Sequence, residues 1–513
     1  MNKIILWIIA TVLSALFSFV QAQTLSSKIL DSVTQKPIPY VTVQLKKRGV
    51  ITNEEGRFSF ILDQNVAPTD SLFISCIGYA SIGKTLGEFT DNVIYLSPKA
   101  IELNPVIVTN KNYTAKEIIA LVNDNIDKNY SRDLHIKRLF FRDSYHQDFS
   151  KTDYTFLKST IKELNKDFLD SVLLTVPKQS NYYTEVLCDL YGNNEKDKQK
   201  MNLIKASELY DKSKEMDLTK LEEKFNDIIK KNIKRDSYFK IKSGLFGTKV
   251  KGEDFEDIFE SEVDSTDATA LKKELEDKKK KEAQRKTNFA KYKRQSLARK
   301  MRHLFYMEDT KLNFVLKSRK YEYRIANFTY LGEDAVYILD FEPKGSADYK
   351  GRLYINSDDF AVIRVDYENV KPLKKFNLMG ISMSEFLGRG KMIFSKASDQ
   401  KYSLRYLEEE NGSRFGIRRP LKIIEKNRHV KGRNKQNELS VKLDMATVGV
   451  NKHEIIIFDT SPLSNEAYEA FTEDNKVLPT YMANYNPEFW KGHDIIEPNQ
   501  AIRAFTSVEE VAK

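Results

Sequence analysis

Cysteine is almost missing from this chain: Cys76 and Cys188 are the only two among 513 residues. Two thiols exclude a disulfide framework, and they fall in segments that read as different domains. They can form one bridge or remain as two buried thiols, and the second is the simpler reading. Local catalytic signatures are missing as well. The six histidines, His135, His146, His303, His429, His453 and His493, include no pair at i,i+4, so the zinc-peptidase pattern is absent. His453-Glu454 opens like one, but Ile457 occupies the place of the second histidine, and a surface strand position accounts for the pair. There is no Gly-x-Ser-x-Gly elbow, no glycine loop that could cradle phosphate, and no Cys-x-x-Cys. Asp334, Asp358 and Asp359 fall in turns, where aspartate is favoured for hydrogen bonding to the backbone. Nothing singles out two of the 73 acidic residues as a glycosidase pair, although such carboxylates need only meet in space. We therefore expect no catalytic residues, no cofactor and no metal ligands.

After residue 22 no stretch is apolar enough to cross a bilayer as a helix. Residues 1–22 themselves have a positive start at Lys3, an apolar run over Ile4–Val20 and small-residue punctuation at Val20-Gln21-Ala22. That is the pattern of a cleaved signal peptide rather than a retained anchor, and it places the mature chain outside the cytoplasm. No cysteine follows to carry a lipid. The net charge of +10 on 59.5 kDa permits attraction to anionic surfaces without requiring it.

What is present begins with strands. Val41–Leu45 and Arg57–Ile61 alternate apolar and polar residues, the pattern of strands with one buried face. The loop Thr52-Asn53-Glu54-Glu55-Gly56 joins them through a glycine that can take positive φ. Ser71–Ile77, ended by Gly78, and Asn92–Leu96 complete a small antiparallel sandwich over residues 23–99.

Four pieces in order, Ile29-Leu30-Asp31, Pro37–Val43, Thr52–Phe58 and Ile74–Tyr79, resemble the carboxypeptidase-regulatory-like β-domain, a transthyretin-like sandwich of Gram-negative envelope proteins. Ser27 stands where that family usually has glycine, and Cys76 where a large polar or aromatic residue is common. The resemblance implies a non-catalytic module.

Residues 100–192 read as a connector, with Leu103–Val108 extended, a helix opened by the box Thr114…Glu117, and an aromatic strand over Ile136–Tyr145. Residues 193–302 are dominated by charge. Leu218, Leu221, Phe225 and Ile228 keep helical spacing, while Leu271–Lys286 reads as a solvated helix or disordered linker rather than a basic arm for nucleic acid or anionic lipid.

From residue 303 to 513 strand signals are dense: Tyr321–Tyr330, Ala335–Phe341, Tyr349–Asn356, Phe360–Tyr367, then Tyr402–Glu408, Leu421–Glu425, Glu438–Val448 and His453–Phe458. About eight strands joined by short turns form a curved antiparallel meander, a half-barrel. Their lengths and mixed charge favour a water-soluble form over a membrane barrel. The pieces Tyr349–Ile355 and Phe360–Arg364 resemble the region behind the β-domain in larger envelope proteins, similar in plan to lipoprotein-carrier half-barrels. Phe489-Trp490 reads as a plug closing a core.

The chain is thus expected to be mainly β with helical insertions. Its expected role is exported, non-enzymatic binding or scaffolding at the periplasmic face of the outer membrane. The expected partner is an envelope protein or an apolar ligand held in an apolar trough, not nucleic acid. The alternative is a hydrolase of peptide or glycan with a site assembled from distant strands.

Overall fold

The computed structural model describes residues 23–62, 66–89, 92–99, 113–195, 197–212, 219–234, 237–244, 246–250, 268–427, 434–474 and 476–507. Residues 1–22, expected as a signal peptide, Leu103–Val108, expected as an extended connector, and the acidic run Glu253–Glu262 lie outside them. The described chain is mainly β, 52% strand and 18% helix, in large sheets without a closed barrel. It divides into two compact units: Met1–Lys99 with Asn486–Asn499, and Ala100–Tyr485 with Gln500–Lys513.

The first unit is a sandwich of seven strands: β1 (Gln23–Asp31), β2 (Thr42–Leu45), β3 (Arg48–Ile51), β4 (Arg57–Leu62), β5 (Ser71–Ser75), β6 (Ile82–Thr85) and β7 (Val93–Leu96). One sheet runs β4-β1-β7 and the other β3-β2-β5-β6, with every pair antiparallel except β1–β7. Ile29, Val41, Val43, Phe58, Phe60, Leu72 and Ile74 fill the space between them. Gly56 takes φ +73°, and an added Cβ would sit 2.5 Å from the Ile29 carbonyl oxygen, so the turn between β3 and β4 requires glycine. The returning tail completes this core. Trp490 is buried, Asp494 accepts the Ile61 amide at 2.8 Å and pairs with Arg48, and Asn53 Nδ2 donates to the Glu497 carbonyl at 3.2 Å.

The second unit is built on one sheet of fourteen strands among the described residues. Its strands are β8 (His135–Ser159), β9 (Gln179–Gly192), β10 (Gln199–Tyr210), β11 (Tyr238–Ser243), β12 (Phe246–Val250), β13 (Tyr321–Leu331), β14 (Asp334–Pro343), β15 (Tyr349–Asn356), β16 (Val362–Asn369), β17 (Lys374–Leu378), β18 (Ile381–Lys396), β19 (Tyr402–Lys426), β20 (Lys435–Pro462) and β21 (Thr480–Met482). The path is β13-β14-β15-β16-β18-β19-β20-β8-β9-β10-β21, with β17 on β18 and the β11–β12 hairpin on β19. The count exceeds the expected eight because residues 135–210 and 238–250 join the same sheet. Tyr402–Glu408 and Leu421–Glu425 are parts of one 25-residue strand, and Glu438–Val448 and His453–Phe458 parts of one of 28 residues. Pairing along both sides of a long strand carries it through the polar stretches that look like breaks in the sequence.

The helices are α1 (Ala115–Asp124), α2 (Ile126–Asn129), α3 (Lys166–Leu174), α4 (Thr219–Asn232), α5 (Ala268–Arg302), α6 (Asn465–Ala470) and α7 (Gln500–Arg503). Thr114 and Glu117 form the expected capping box of α1. Of the two readings of the charged segment Leu271–Lys286, helix and linker, the structure has the helix. The segment lies within α5, whose later turns bury Ala290, Leu297 and Met301. Residues 304–315 then pack on the same face, where Phe314 stacks on Phe341 of β14 and Phe305 meets Phe394 of β18 edge-on. The expected apolar trough is therefore largely filled by the chain itself. Cys76 and Cys188 are both buried free thiols, one in each unit.

Candidate functional site

One rung of cross-strand neighbours organises the face beneath α5. In order it reads Tyr323, Phe341, Gly351, Tyr367, Gly390, Glu409, His453, Asp143, Thr184 and Glu208, from β13 to β10. Residues directly opposite one another in antiparallel pairs point to the same face, so these side chains form a continuous row. Its first half alternates aromatic rings with glycine. A Cβ at Gly351 would lie 2.9 Å from Phe341 Cζ, and one at Gly390 would lie 2.6 Å from the Tyr367 hydroxyl oxygen. The rings thus occupy space that only glycine leaves empty. The second half carries acids on every second strand.

Helix α5 crosses those acids. Arg285 pairs with Glu208 at 3.4 Å, Lys293 with Asp143 at 2.6 Å and Lys300 with Glu409 at 2.8 Å. The basic residues are eight and seven positions apart, about 12 and 10 Å along the helix axis. The acids stand two strands apart, roughly 10 Å. The two spacings match closely enough for one straight helix to engage all three acids.

His453 also bonds to Asp143, and it is only 8% exposed, so it is not the surface position expected from the sequence. Burial would raise the Asp143 carboxyl, but the His453 bond and the Lys293 charge outweigh it and bring it down to about 2. Glu409 follows the same balance: burial raises it, Lys300 and Asn411 lower it further, and it too falls to about 2. Both acids are therefore fixed anions. On the opposite face the next rung buries Arg142 between Glu185 at 2.6 Å and Glu454 at 3.8 Å.

Between the C-terminal turn of α5 and this row lies a cavity of about 230 Å³. Arg299, Lys300, His303 and Lys311 line one side, and Tyr349, Tyr367, Glu409 and His453 lie on the sheet side. Met392, Leu407, Leu373 and Leu312 supply apolar wall. Strands β15 and β20 stand four places apart in the sheet, roughly 19 Å if it were flat, yet Tyr349 and His453 line one cavity. The sheet curls around it.

Several polar groups here have no protein partner among the described residues. The hydroxyls of Tyr349 and Tyr367 have no hydrogen bond, although the two residues are only 6% and 8% exposed. His303 Nδ1 is buried and unbonded, as is Asn451 Oδ1, directly across the strand pair from Asn411 at the cavity edge. Burial raises both phenols well above their ordinary range, so they remain donors at any physiological pH. Burial, reinforced by Lys311, lowers His303.

From the cavity the same face continues outward along β17, β18 and β19. Beyond the Lys374–Glu385 pair, at 2.9 Å, comes the rung Phe376–Met383–Phe415, then Leu378–Ile381–Ile417. Phe376 and Phe415 are about half exposed, at 49% and 48%.

The other residues considered from sequence do not converge on the cavity. Among the described residues, only His303 and His453 of the histidines reach it. His135 lies near Asp399 at 3.5 Å, His146 near Asn181 at 2.6 Å, His493 belongs to the first unit, and His429 lies outside the described residues. Asp359 caps its own turn through the Ala361 amide at 3.0 Å, and Asp358 donates its amide to Asn356 at 2.8 Å. Asp334 opens β14. Among the described residues no group of three or more His, Cys, Asp or Glu could hold a metal ion, and no helix is long and apolar enough to cross a membrane. From the sequence, Tyr349 and Tyr367 stand out only as strand residues. For Tyr367 the one sequence signal is the glycine opposite its ring on each neighbouring strand, Gly351 and Gly390, which needs the register to be recognised; Tyr349, opposite Asn369, has no such signal.

Residues 25–108 match the family model of the CarboxypepD_reg-like domain. No curated protein matches the chain. Among solved structures, the complex of Pseudomonas aeruginosa MucA and MucB is 7% identical, covers 68% of this chain and 99% of its own, and gives a TM-score of 0.15. A protein from Bacteroides fragilis, described as membrane-associated and of unknown function, is 8% identical, covers 83% and 96%, and gives 0.12. TM-scores this low do not establish a shared fold.

Proposed function

We propose, from the premise that residues 25–108 form a carboxypeptidase-regulatory-like domain, that this chain is an exported, non-catalytic binding protein working at the periplasmic face of the outer membrane. The sandwich is its docking module, and the curled sheet holds an apolar ligand or a partner segment. The observation that carries this reading is the continuous face of β17, β18 and β19, which leads from a lined cavity to rungs of half-exposed apolar side chains. Exposed apolar surface of this kind, contiguous and bordered by polar groups, marks binding sites on soluble domains.

One observation favours a hydrolase instead: His453 is hydrogen-bonded to Asp143 and lines the cavity beside Glu409. The chemistry of the two acids weighs against it. A general acid or base works best with a pKa near the operating pH. Asp143 and Glu409, held near 2, are weak bases that bind α5 through Lys293 and Lys300.

The test is cell fractionation followed by detergent-free purification and native mass spectrometry, with hydrolysis of peptidoglycan fragments and peptides assayed in parallel. The expected result is an envelope protein that retains an apolar ligand and loses it in Met383→Ser/Phe415→Ser. A protein that is cytoplasmic, or one that returns empty while cleaving either substrate with a dependence on His453, overturns the proposal.

A further inference from the structure

The cavity at the inner end of this face has a chemistry of its own. Two tyrosines, each more than nine-tenths buried as a residue, line it with hydroxyls that have no hydrogen-bond partner among the described residues, and both remain donors. Opposite them stand Arg299 and Lys311, which have no ion-pair partner among the described residues, and the unbonded Nδ1 of His303. The two acids in the lining are already spent, Glu409 on Lys300 and Glu385 on Lys374. Among the lining residues the uncommitted groups are thus two phenol donors and two cations, with His303 Nδ1 able to donate or accept and Asn451 Oδ1 an acceptor at the edge, and a donor without an acceptor costs free energy that a bound acceptor recovers. Apolar wall from Leu373, Met392 and Leu407 lies beside them. The half-exposed rung Phe376–Met383–Phe415 begins four residues along β19 from Asn411, about 13 Å away.

We infer that this site takes an anionic amphiphile, with its acidic head in the cavity against Tyr349, Tyr367, Arg299 and Lys311 and its aliphatic chain along Met383 and Phe415. This rests on the binding reading above and names the ligand class of the same face. A carboxylate or a phosphate on an acyl chain satisfies the same donors, so a free fatty acid and a lysophospholipid share the required chemistry. The head contributes charge-assisted hydrogen bonds, each worth about a tenfold change in affinity. The chain contributes area-dependent burial that does not distinguish one head from another.

The experiment is titration calorimetry on the full-length protein with four probes: palmitate, lysophosphatidylglycerol, hexadecanol and inorganic phosphate. At least one of the two anionic amphiphiles should bind about tenfold or more tighter than hexadecanol, and phosphate alone should bind weakly. Comparing palmitate with lysophosphatidylglycerol identifies the head. Tyr349→Phe/Tyr367→Phe and Arg299→Ala/Lys311→Ala should each weaken the anionic probe about tenfold or more and leave hexadecanol unchanged. Met383→Ser/Phe415→Ser should weaken all chain-bearing probes alike. Circular dichroism checks that each variant is folded. Equal binding of hexadecanol and palmitate, with no effect of the cavity variants, overturns the anionic head while leaving the binding reading intact. Phosphate binding as tightly as the amphiphiles overturns the role of the chain. If no chain-bearing probe binds and no ligand co-purifies, both inferences fail together.

Discussion

A methyl group added at Gly390 would meet the Tyr367 hydroxyl oxygen at 2.6 Å and the Glu408 carbonyl oxygen at 2.4 Å. Gly390→Ala must therefore both displace the ring of Tyr367 and shift the strand pair at Glu408. A folded variant with lower affinity for any cavity ligand is expected, at a stability cost of about 1–3 kcal/mol from overpacking. Chemical denaturation together with the calorimetric titration checks both effects. On the opposite face, Arg142→Met should cost more, about 3–5 kcal/mol, because it takes the buried cation from Glu185 and leaves Glu454 with Lys452 alone of its two cations. An unchanged denaturation midpoint would contradict that account. At this scale little of the site is legible in the chain. Gly351 and Gly390 look like loosely placed strand glycines until the register sets Phe341 and Tyr367 across from them. His453 reads as a surface residue because nothing in its own strand reveals that Lys293, distant in sequence, will share Asp143 with it.

At the scale of elements, α5 depends on its three ion pairs. Ala290, Leu297 and Met301 give its later turns an apolar seam, but Lys293 and Lys300 set where that seam sits on the strands. Asp143 and Glu409, with folded pKa values of about 2, ionise more readily than in the unfolded chain, where they titrate near 4. Their contribution is therefore complete above about pH 4 and is lost as pH falls toward 2, on the order of 2–3 kcal/mol each. Hydrogen exchange should show amides of residues 290–302 losing protection across that window before those of β14–β16. Lys293→Met/Lys300→Met should produce the same local loss at neutral pH. Uniform loss over the whole sheet in either experiment would show that α5 does not open as a separate element. Elements were more legible than residues. Thr114 and Glu117 announce α1, and the alternation in β2 and β4 is plain, because those signals are local. The length of β19 and β20 is not local: each runs on through polar stretches because a neighbouring strand continues beside it. The same limit hid the packed side of α5, whose sequence shows charge and whose seam acquires meaning only against the sheet.

At the scale of the whole molecule, a segment late in the chain joins the unit formed by its first hundred residues. Residues 486–499 belong to the sandwich unit, with Trp490, Ile495 and Ile496 buried there. Asp494 is held by Arg48 and by the Ile61 amide, and burial raises its carboxyl above the ordinary value. The aromatic pair near the C-terminus suggested a plug, but not which core it would close, since burial of a tryptophan carries no address. Trp490→Ala should therefore destabilise the sandwich rather than the large sheet that precedes it in the chain, by about 3–5 kcal/mol. Asp494→Ala should cost about 1–3 kcal/mol, leaving the Ile61 amide without its acceptor. Hydrogen exchange on the full-length variants separates the two units. Faster exchange confined to residues 42–62 supports the strap, whereas faster exchange in β18–β20 with the sandwich unaffected would mean that the tail serves the other unit. A protein fastened in this way completes its first unit only after residues 486–499 have been made, so truncation before residue 486 should leave that unit the least stable part of the chain.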